Sequence, residues 1–372
     1  MVRPARSKGK GSDSTKPRAA RPKRSVSKPA GAEVPAPKSR RRRLGAEAAP
    51  APDHGRVPAE APRPSRLPPG RPIDLPGRGR IYFREIPGPE NAPVVVLLHG
   101  WLASGALNWA AAFDTLGEHF RVIAPDQRGH GRGIRSWSPF RLEDCADDAA
   151  ALLEALGIDH AVVVGYSMGG PVAQLLWRRH PEKVAGLVLC ATSGEPVSAS
   201  GIGRLAFTSL LYGAAGTARI GQLATRVPTA LAETISRPFE REAPPLDLRF
   251  TMAELGRHDV RMLLEAGVAL GRYRANDWLR DIDVPTAILV TTEDRTVLPE
   301  GQMRQALEIR DVRIFCVDRG HIAVGDPGFV EHLRVASLHV ALRAASASRP
   351  PASRARRRKG LERTVEALLG TE

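Results

Sequence analysis

The chain has 372 residues, and its 55 Lys and Arg against 40 Asp and Glu give a formal net charge of +15. The positive charge lies at the two ends. Residues 1–72 hold 19 basic and 5 acidic residues, residues 348–372 hold 7 and 3, and the 275 residues between them carry a net charge of −3. A body of this size can bury a substantial core, which excludes a mini-protein stapled by disulfides or metals. Because this body is slightly acidic, the net charge of the chain does not by itself indicate a nucleic-acid-binding protein.

Both ends are predicted to be disordered basic tails, one at 1–72 and one at 348–372. Fourteen prolines, a run of four arginines at 40–43 and few large apolar side chains mark the first tail. Such segments cannot bury enough apolar surface to offset the entropy lost on ordering. The prolines also break the amphipathic helix that a transit peptide needs.

The cell compartment is predicted from what the sequence lacks. No apolar run approaches the roughly 20 residues that span a bilayer. The three cysteines, Cys145, Cys190 and Cys316, show no paired spacing, which predicts buried, reduced thiols. We therefore expect a cytoplasmic protein without a cofactor or a metal site.

Between the tails, apolar runs alternate with segments of helical periodicity. The runs predict strands at Arg80–Ile86, Pro93–Leu98, Phe120–Ala124, His160–Val164, Val184–Cys190, Thr286–Val290 and Val312–Val317. The periodicity predicts helices at Asn108–Leu116, Leu142–Leu156, Gly169–His180, Gly301–Ile309 and Phe329–Ala345. Continuous apolar runs are typical of strands buried on both faces. The alternation predicts an α/β fold, with a doubly wound and mostly parallel sheet, in a domain at 73–347.

A long interval at about 196–283 contains helix-like stretches and no buried-strand run, which predicts a helical cap over one end of the sheet. Its large apolar side chains favour an apolar acyl or alkyl group over a highly charged ligand, and ordinary packing within the cap is the alternative role for each of them. These side chains are Phe207, Leu210, Leu211, Tyr212, Met252, Met262 and Trp278.

The strongest chemical motif is the G-x-S-x-G around Ser167, in the stretch GYSMGG. It follows a β-branched strand and opens a helix, which is the context that a nucleophilic serine on a sharp turn requires. The glycines are needed because the turn is crowded and the serine backbone is strained. The motif predicts Ser167 as a nucleophile at the carboxyl edge of the sheet.

A serine hydroxyl needs a base that takes its proton and an acid that orients the base. His321 follows the last predicted strand and Asp294 follows the strand before it, and Ser–Asp–His is the chain order expected for such a site. We therefore predict His321 as general base and then general acid, with Asp294 holding its tautomer. Three other carboxylates remain alternatives for the acid: Glu293, Glu195 and Asp318.

Two backbone N–H groups, those of Trp101 and Met168, are predicted to form an anion hole above Ser167. Trp101 lies in the HGW stretch that follows a buried strand, and Met168 opens the helix after Ser167. Such donors stabilise the oxyanion that develops during acyl transfer. His99 is expected to hold this loop, and Asp126 and Arg128 are expected to brace neighbouring loops.

At these motifs the sequence resembles the alpha/beta-hydrolase fold superfamily, of the alpha/beta-hydrolase-1 type. The matching stretches are HGW, DQRGHG, GYSMGG, TTEDRTVLP and RGHIAVGDP, and the resemblance covers about residues 78–345. It implies an eight-stranded sheet, a helical cap, a Ser-Asp-His triad and hydrolysis of an ester, thioester, lactone or related bond. A usage of 47 Arg to 8 Lys also resembles that of actinobacterial members.

The sequence departs from the family in one place. After DQRGHG many relatives have a serine as the second residue, whereas this chain continues Arg132-Gly133-Ile134-Arg135-Ser136, and we expect a different entrance loop. Relatives that hydrolyse epoxides or haloalkanes use an aspartate as nucleophile, and Ser167 argues against both activities.

The leading hypothesis is a serine hydrolase that acts on a small to medium apolar ester, thioester or lactone through an acyl-enzyme. The same fold leaves open an acyltransferase, a carbon–carbon bond hydrolase and a cofactor-free haloperoxidase-like perhydrolase. A different class is a polyanion-binding protein driven by its tails. The predicted partners are a small apolar substrate and, through the tails, weak contacts with nucleic acid or anionic membranes, with no stable protein partner.

Overall fold

The computed structural model describes residues 67–196, 208–218 and 248–347. The chain divides into two units, Met1–Gly55 and Arg56–Glu372, and every described residue belongs to the second. Most of the predicted tails and residues 197–207 and 219–247 of the predicted cap lie outside the described residues.

Eight strands form one sheet with helices between them. The strands are β1 (Gly70–Leu75), β2 (Gly79–Ile86), β3 (Val94–Leu98), β4 (Arg121–Pro125), β5 (Ala161–Tyr166), β6 (Val184–Cys190), β7 (Thr286–Thr291) and β8 (Val312–Val317). The helices are α1 (Gly105–Trp109), α2 (Phe113–Gly117), α3 (Leu142–Ala155), α4 (Gly169–Arg179), α5 (208–218), α6 (Leu248–Gly256), α7 (Val260–Arg272), α8 (Pro299–Glu308) and α9 (Pro327–Ala347).

The sheet has the strand order β1-β2-β4-β3-β5-β6-β7-β8. Strand β2 pairs antiparallel with β1 and with β4. The other six strands, β3 to β8, pair in parallel with their neighbours among themselves. The α/β fold and the mostly parallel sheet predicted from the sequence are confirmed. The carboxyl ends of the parallel strands meet at one edge, which is where loops carrying ligands and catalytic groups gather in such sheets.

Apolar layers cover both faces of the sheet, which explains the continuous apolar runs. In β3, Val96 and Leu98 face a core formed with α3, α4 and α7, whereas Val95 and Leu97 face a core formed with α1, α2 and α9. All four side chains are fully buried. Burial of one such side chain contributes about 1.5–3 kcal/mol, so the central strands form a rigid base for the loops at their ends.

Apart from shifts of one or two residues at the ends of elements, the structure differs from the prediction in three respects. Strand β1 begins at Gly70, before the predicted domain start at 73, and it is an exposed edge strand that carries no apolar run. The helix predicted at Asn108–Leu116 is two short helices, α1 and α2. Cys316 is exposed, although burial was expected, because β8 lies at the other edge of the sheet.

The described parts of the cap are helical. They comprise α5, α6, α7 and the turn that leads into β7. Among the helices that the structure describes, none is both long and apolar enough to cross a membrane.

Candidate active site

Ser167 occupies a left-handed turn between β5 and α4, with a φ of +50°. Such a backbone costs a non-glycine residue about 1–3 kcal/mol. Two hydrogen bonds hold it: the Ser167 N–H donates to the Cys190 carbonyl at 3.0 Å, and the Thr192 hydroxyl donates to the Ser167 carbonyl at 2.9 Å. The turn projects the serine side chain into the cavity at the carboxyl edge of the sheet.

The glycines on either side of Ser167 are required by close packing. A Cβ on Gly165 would lie 2.3 Å from the carbonyl oxygen of Gly169, and one on Gly169 would lie 2.0 Å from that of Leu98. No side chain fits at these distances. The G-x-S-x-G spacing is therefore a packing requirement of this turn.

His321 lies in the loop after β8, and its Nε2 is 3.0 Å from the Ser167 Oγ. Tyr166, the residue before the serine, holds this loop. Its hydroxyl donates to the carbonyl oxygen of His321 and accepts from the Ala323 N–H at 3.1 Å. The motif G-x-S-x-G accepts any residue at position 166, so it carries no signal for this role of Tyr166.

Asp294 follows β7 and completes a hydrogen-bonded chain with the other two side chains. The His321 Nδ1 is 2.8 Å from Asp294 Oδ2, and Asp294 Oδ1 accepts from the N–H groups of Thr296 at 2.8 Å and Val297 at 2.9 Å. Burial raises the pKa of Asp294, but the hydrogen bonds from His321 and Val297 lower it, and together these effects leave the pKa below its ordinary value. The carboxylate is thus charged at neutral pH, as an orienting acid must be.

The alternative acids have other surroundings. Glu195 pairs with Arg274 at 3.0 Å, Asp318 accepts from the Thr292 hydroxyl at 2.8 Å, and Glu293 is exposed. The geometry favours Asp294 over all three. No group of three or more His, Cys, Asp or Glu residues within the described ranges is arranged to hold a metal ion.

The loop that carries Trp101 lies directly against the serine. A Cβ on Gly100 would lie 3.4 Å from the Cβ of Ser167, and both Trp101 and Met168 line the cavity. Within the part of the chain that the structure describes, the backbone N–H of neither residue donates to another protein atom. Both predicted donors are therefore available to an oxyanion.

Buried polar contacts hold this loop in place. The His99 Nε2 accepts from the Gln127 N–H at 2.9 Å, its Nδ1 lies 2.8 Å from the Gly100 carbonyl, and burial lowers the pKa of His99 to about 3. Asp126 accepts from the Gly105 N–H at 2.8 Å, and Arg128 forms two hydrogen bonds of 2.8 Å with Asp148. The contacts of His99 and Asp126 agree with the bracing roles expected for them, whereas Arg128 ties its own loop to helix α3 and not to a neighbouring loop.

The divergent segment after DQRGHG ties the cap to this scaffold. Arg132 pairs with the buried Glu254 of α6 at 3.1 Å, and Glu254 also accepts from the Ser104 hydroxyl at 2.7 Å. The Asp259 N–H donates to the Gly129 carbonyl at 2.9 Å. The base of the cap is thus fixed to the same loops that hold Trp101.

A cavity of about 1130 Å³ lies between Ser167, His321 and the cap. The described cap residues on its wall are Pro196, Thr251, Leu255, Gly267 and Leu270. Further large apolar side chains on the wall are Leu107 of α1 and, from the loops that follow strands, Leu102, Val297, Leu298 and Ile322. The cavity therefore suits an apolar group.

Of the large apolar cap side chains named from the sequence, those that the structure describes do not line this cavity. Leu210, Tyr212 and Met252 are exposed, Met262 is fully buried in the core, and Trp278 stacks on Trp177. Leu211 is also absent from the wall, and Phe207 lies outside the described residues. Helical periodicity marks apolar positions but does not say which neighbour they face.

A match to a family model shows to which protein family the chain belongs. The family model for the alpha/beta hydrolase fold matches residues 93–309. The chain belongs to the alpha/beta hydrolase fold family. This confirms the resemblance drawn from the sequence motifs.

Individual relatives of this alpha/beta hydrolase match shorter segments. A bifunctional esterase/perhydrolase of Acinetobacter calcoaceticus is 41% identical over 29% of this chain and 40% of its own length. A pimeloyl-[acyl-carrier protein] methyl ester esterase of Aromatoleum aromaticum is 43% identical over 28% of this chain and 38% of its own length. An epoxide hydrolase B of Mycobacterium tuberculosis is 37% identical over 27% and 29%. The chain spans about two fifths or less of the length of these curated relatives.

Solved structures share the fold over most of the domain. A hydrolase from Pseudomonas aeruginosa PA01 superposes with a TM-score of 0.56 at 23% identity, over 73% of this chain and 97% of its own. An enol-lactonase from Burkholderia xenovorans LB400 superposes with a TM-score of 0.55 at 23% sequence identity, over 71% of this chain and 96% of its own. At such identities the likeness shows the fold alone.

Proposed function

We propose that the protein is a serine hydrolase that cleaves an ester, thioester or lactone of a small to medium apolar substrate. The observation that carries this proposal is the chain of hydrogen bonds from Ser167 through His321 to Asp294, at the wall of an apolar cavity. Family membership supports hydrolytic chemistry. The serine at the nucleophile position argues for acyl transfer rather than for attack by a carboxylate.

The first half of the reaction forms an acyl-enzyme. His321 Nε2 takes the proton of Ser167 Oγ as the oxygen attacks the carbonyl carbon of the substrate. The negative charge that develops on the carbonyl oxygen is stabilised by the N–H groups of Trp101 and Met168. The protonated His321 then gives its proton to the leaving alcohol or thiol, and the bond from the carbonyl carbon to that group breaks.

The second half returns the enzyme to its starting state. His321 takes a proton from a water molecule, whose oxygen attacks the acyl carbon. The proton passes to Ser167 Oγ as the carboxylic acid leaves. Asp294 stays ionised throughout and stabilises the imidazolium, which agrees with the lowered pKa of this carboxyl group.

Substitution of the proposed nucleophile tests this function. Ser167→Ala should reduce turnover of p-nitrophenyl butyrate at least a thousandfold, because no other group supplies the attacking oxygen. The exposed Ser138 provides the matched control, and Ser138→Ala should behave as the wild type. Ester turnover that persists in Ser167→Ala, with an unchanged unfolding midpoint, would contradict the proposal.

A perhydrolase activity is the second candidate, supported by the bifunctional esterase/perhydrolase relative. Hydrogen peroxide would then compete with water for the same acyl-enzyme. Measuring peracid against free acid with increasing peroxide separates the two. Adding alcohols or thiols in the same way tests for an acyltransferase, whose acyl group goes to the added nucleophile in preference to water.

The basic segments support a further, independent proposal of weak polyanion binding. Residues 1–72 carry a net charge of +14 and residues 348–372 a net charge of +4, and clustered charge of this kind attracts nucleic acid or anionic lipid. Binding of the full chain to duplex DNA should weaken steeply between 50 and about 200 mM salt. Replacing the four arginines at 40–43 by glutamine should weaken DNA binding further. An unchanged dependence of binding on salt would show that this tail does not contribute to it.

A further inference from the structure

The described wall of the cavity beside the site combines an apolar surface with two charged side chains. Among the described lining residues, these are Arg295 and Asp326. Asp326 is already engaged, since it accepts from Arg319 Nε at 2.8 Å and from the Phe329 N–H at 3.1 Å. Its negative charge is therefore largely compensated.

Arg295 is in a different situation. The side chain is exposed at the cavity, and within the described residues it forms no hydrogen bond or ion pair. The wall thus presents one uncompensated cation, as far as the structure describes it. A cation in apolar surroundings attracts an anion more strongly than one in open water.

The backbone places Arg295 next to the reacting groups. It follows Asp294 directly, and the Asp294 side chain accepts hydrogen bonds from the N–H groups of the next two residues, Thr296 and Val297. The loop is therefore pinned to the carboxylate that orients His321. The guanidinium group extends from a fixed point of the site and not from a free loop.

The apolar wall near Arg295 indicates the rest of the ligand. Leu102, Leu255, Leu298 and Ile322 line the cavity and keep between 39% and 91% of their surface exposed. An apolar ligand that covers them gains free energy in proportion to the area removed from water. The cation and these side chains together fit an amphiphilic molecule with one negative charge.

We propose that the preferred substrate is an ester or lactone whose apolar body carries one carboxylate group, and that Arg295 binds this carboxylate. The inference rests on the proposed hydrolase function and specifies its substrate class. A guanidinium group binds a carboxylate through two parallel hydrogen bonds, which gives both affinity and orientation. Arg295 is thus a specificity-determining residue.

Paired substrates of equal length test the inference on the full chain. Each pair consists of the monomethyl ester of an α,ω-dicarboxylic acid and the methyl ester of the corresponding alkanoic acid, and the released acid is quantified. The wild type should have the lower KM for the charged member. Arg295→Gln should raise that KM about tenfold or more, since a hydrogen bond between charged groups is lost, and should leave the KM of the neutral ester within about twofold.

Arg310 provides the matched control. It is also exposed and precedes β8, at the amino edge of the sheet, opposite the site. Arg310→Gln removes the same charge from the protein and should change neither KM. Raising the salt concentration should reduce the preference of the wild type and leave Arg295→Gln unaffected.

The outcomes separate this inference from the proposed function. Equal KM values for the charged and neutral esters in the wild type, or an equal rise of both in Arg295→Gln, would overturn the role of Arg295 and leave the hydrolase standing. Failure of the wild type to hydrolyse any ester of the series would count against the proposed function itself, and with it the inference.

Discussion

Replacing Asp294 by asparagine separates the hydrogen-bonding role of this residue from its charge. The carboxylate accepts from His321 through Oδ2 and from two backbone N–H groups through Oδ1. An amide has only one acceptor oxygen. In one orientation the new NH₂ group faces the His321 Nδ1–H, and in the other it faces the N–H groups of Thr296 and Val297.

The first orientation keeps the backbone N–H groups of Thr296 and Val297 paired but disables the proposed base, whereas the second leaves these two N–H groups facing the NH₂ group. If the NH₂ faces His321, the ring must turn its Nδ1 into an acceptor, and its proton then sits on Nε2, where the Ser167 proton has to go. Serine hydrolase triads lose about ten thousandfold in kcat for this reason, which corresponds to about 5 kcal/mol of transition-state stabilisation. We expect a loss of this size for Asp294→Asn.

The assay is kcat for p-nitrophenyl butyrate, with the thermal unfolding midpoint measured in parallel. Glu293→Gln and Asp318→Asn are matched controls, because each removes a neighbouring carboxylate that lies outside the hydrogen-bonded chain. Both should keep kcat close to that of the wild type. The assignment of the acid would be wrong if a folded Asp294→Asn kept more than about a tenth of the wild-type kcat. It would also be wrong if one of the control variants lost a larger fraction of kcat than Asp294→Asn.

Three further predictions concern the support of the site. Tyr166→Phe removes the hydroxyl that holds the His321 loop and should lower kcat several-fold at nearly constant KM; an unchanged kcat would contradict this role. Gly165→Ala places a Cβ 2.3 Å from a carbonyl oxygen and should destabilise the protein by about 1–3 kcal/mol or more in urea unfolding, whereas Gly213→Ala, with open space around it, should be neutral or stabilising. The folded-state pKa of His99 lies at about 3, below the unfolded value of about 6.5, so the unfolded chain binds the extra proton between these values. Stability should therefore fall as the pH falls from 6.5 towards 3, by up to about 1.4 kcal/mol per pH unit for this group, and His99→Gln should show a shallower slope in urea unfolding.

The sequence predicted best what short-range chemistry determines. The turn at Ser167 is specified within six residues, because only glycines fit beside it. The positions of His321 and Asp294 follow from one rule, that loops after parallel strands meet at the same edge of the sheet. No comparable rule gives the order of the strands, since every central strand is buried on both faces and would fit any central position.

The cavity wall could not be predicted in the same way. Met262 is an apolar cap residue, but it packs against the turn at Gly129, where a Cβ would lie 2.6 Å from the Cβ of Met262. Ile322 and Leu298 lie on the wall because they follow the predicted base and acid in the same loops. Only their proximity in sequence to His321 and Asp294 could have indicated that Ile322 and Leu298 line the cavity. Their apolar character alone does not distinguish wall residues from core residues. Strand β1 was missed because an exposed edge strand carries no buried apolar run.

Labelling with a fluorophosphonate tests the central claim most directly, because this reagent reacts by far the fastest with a serine that a neighbouring base activates. The full chain is labelled, digested and mapped by mass spectrometry, with Ser167→Ala and Ser138→Ala treated in parallel. We predict one label on Ser167 in the wild type and in Ser138→Ala, and none in Ser167→Ala. A label on another residue, or a folded wild type that takes up none while a known serine esterase reacts fully, would contradict it.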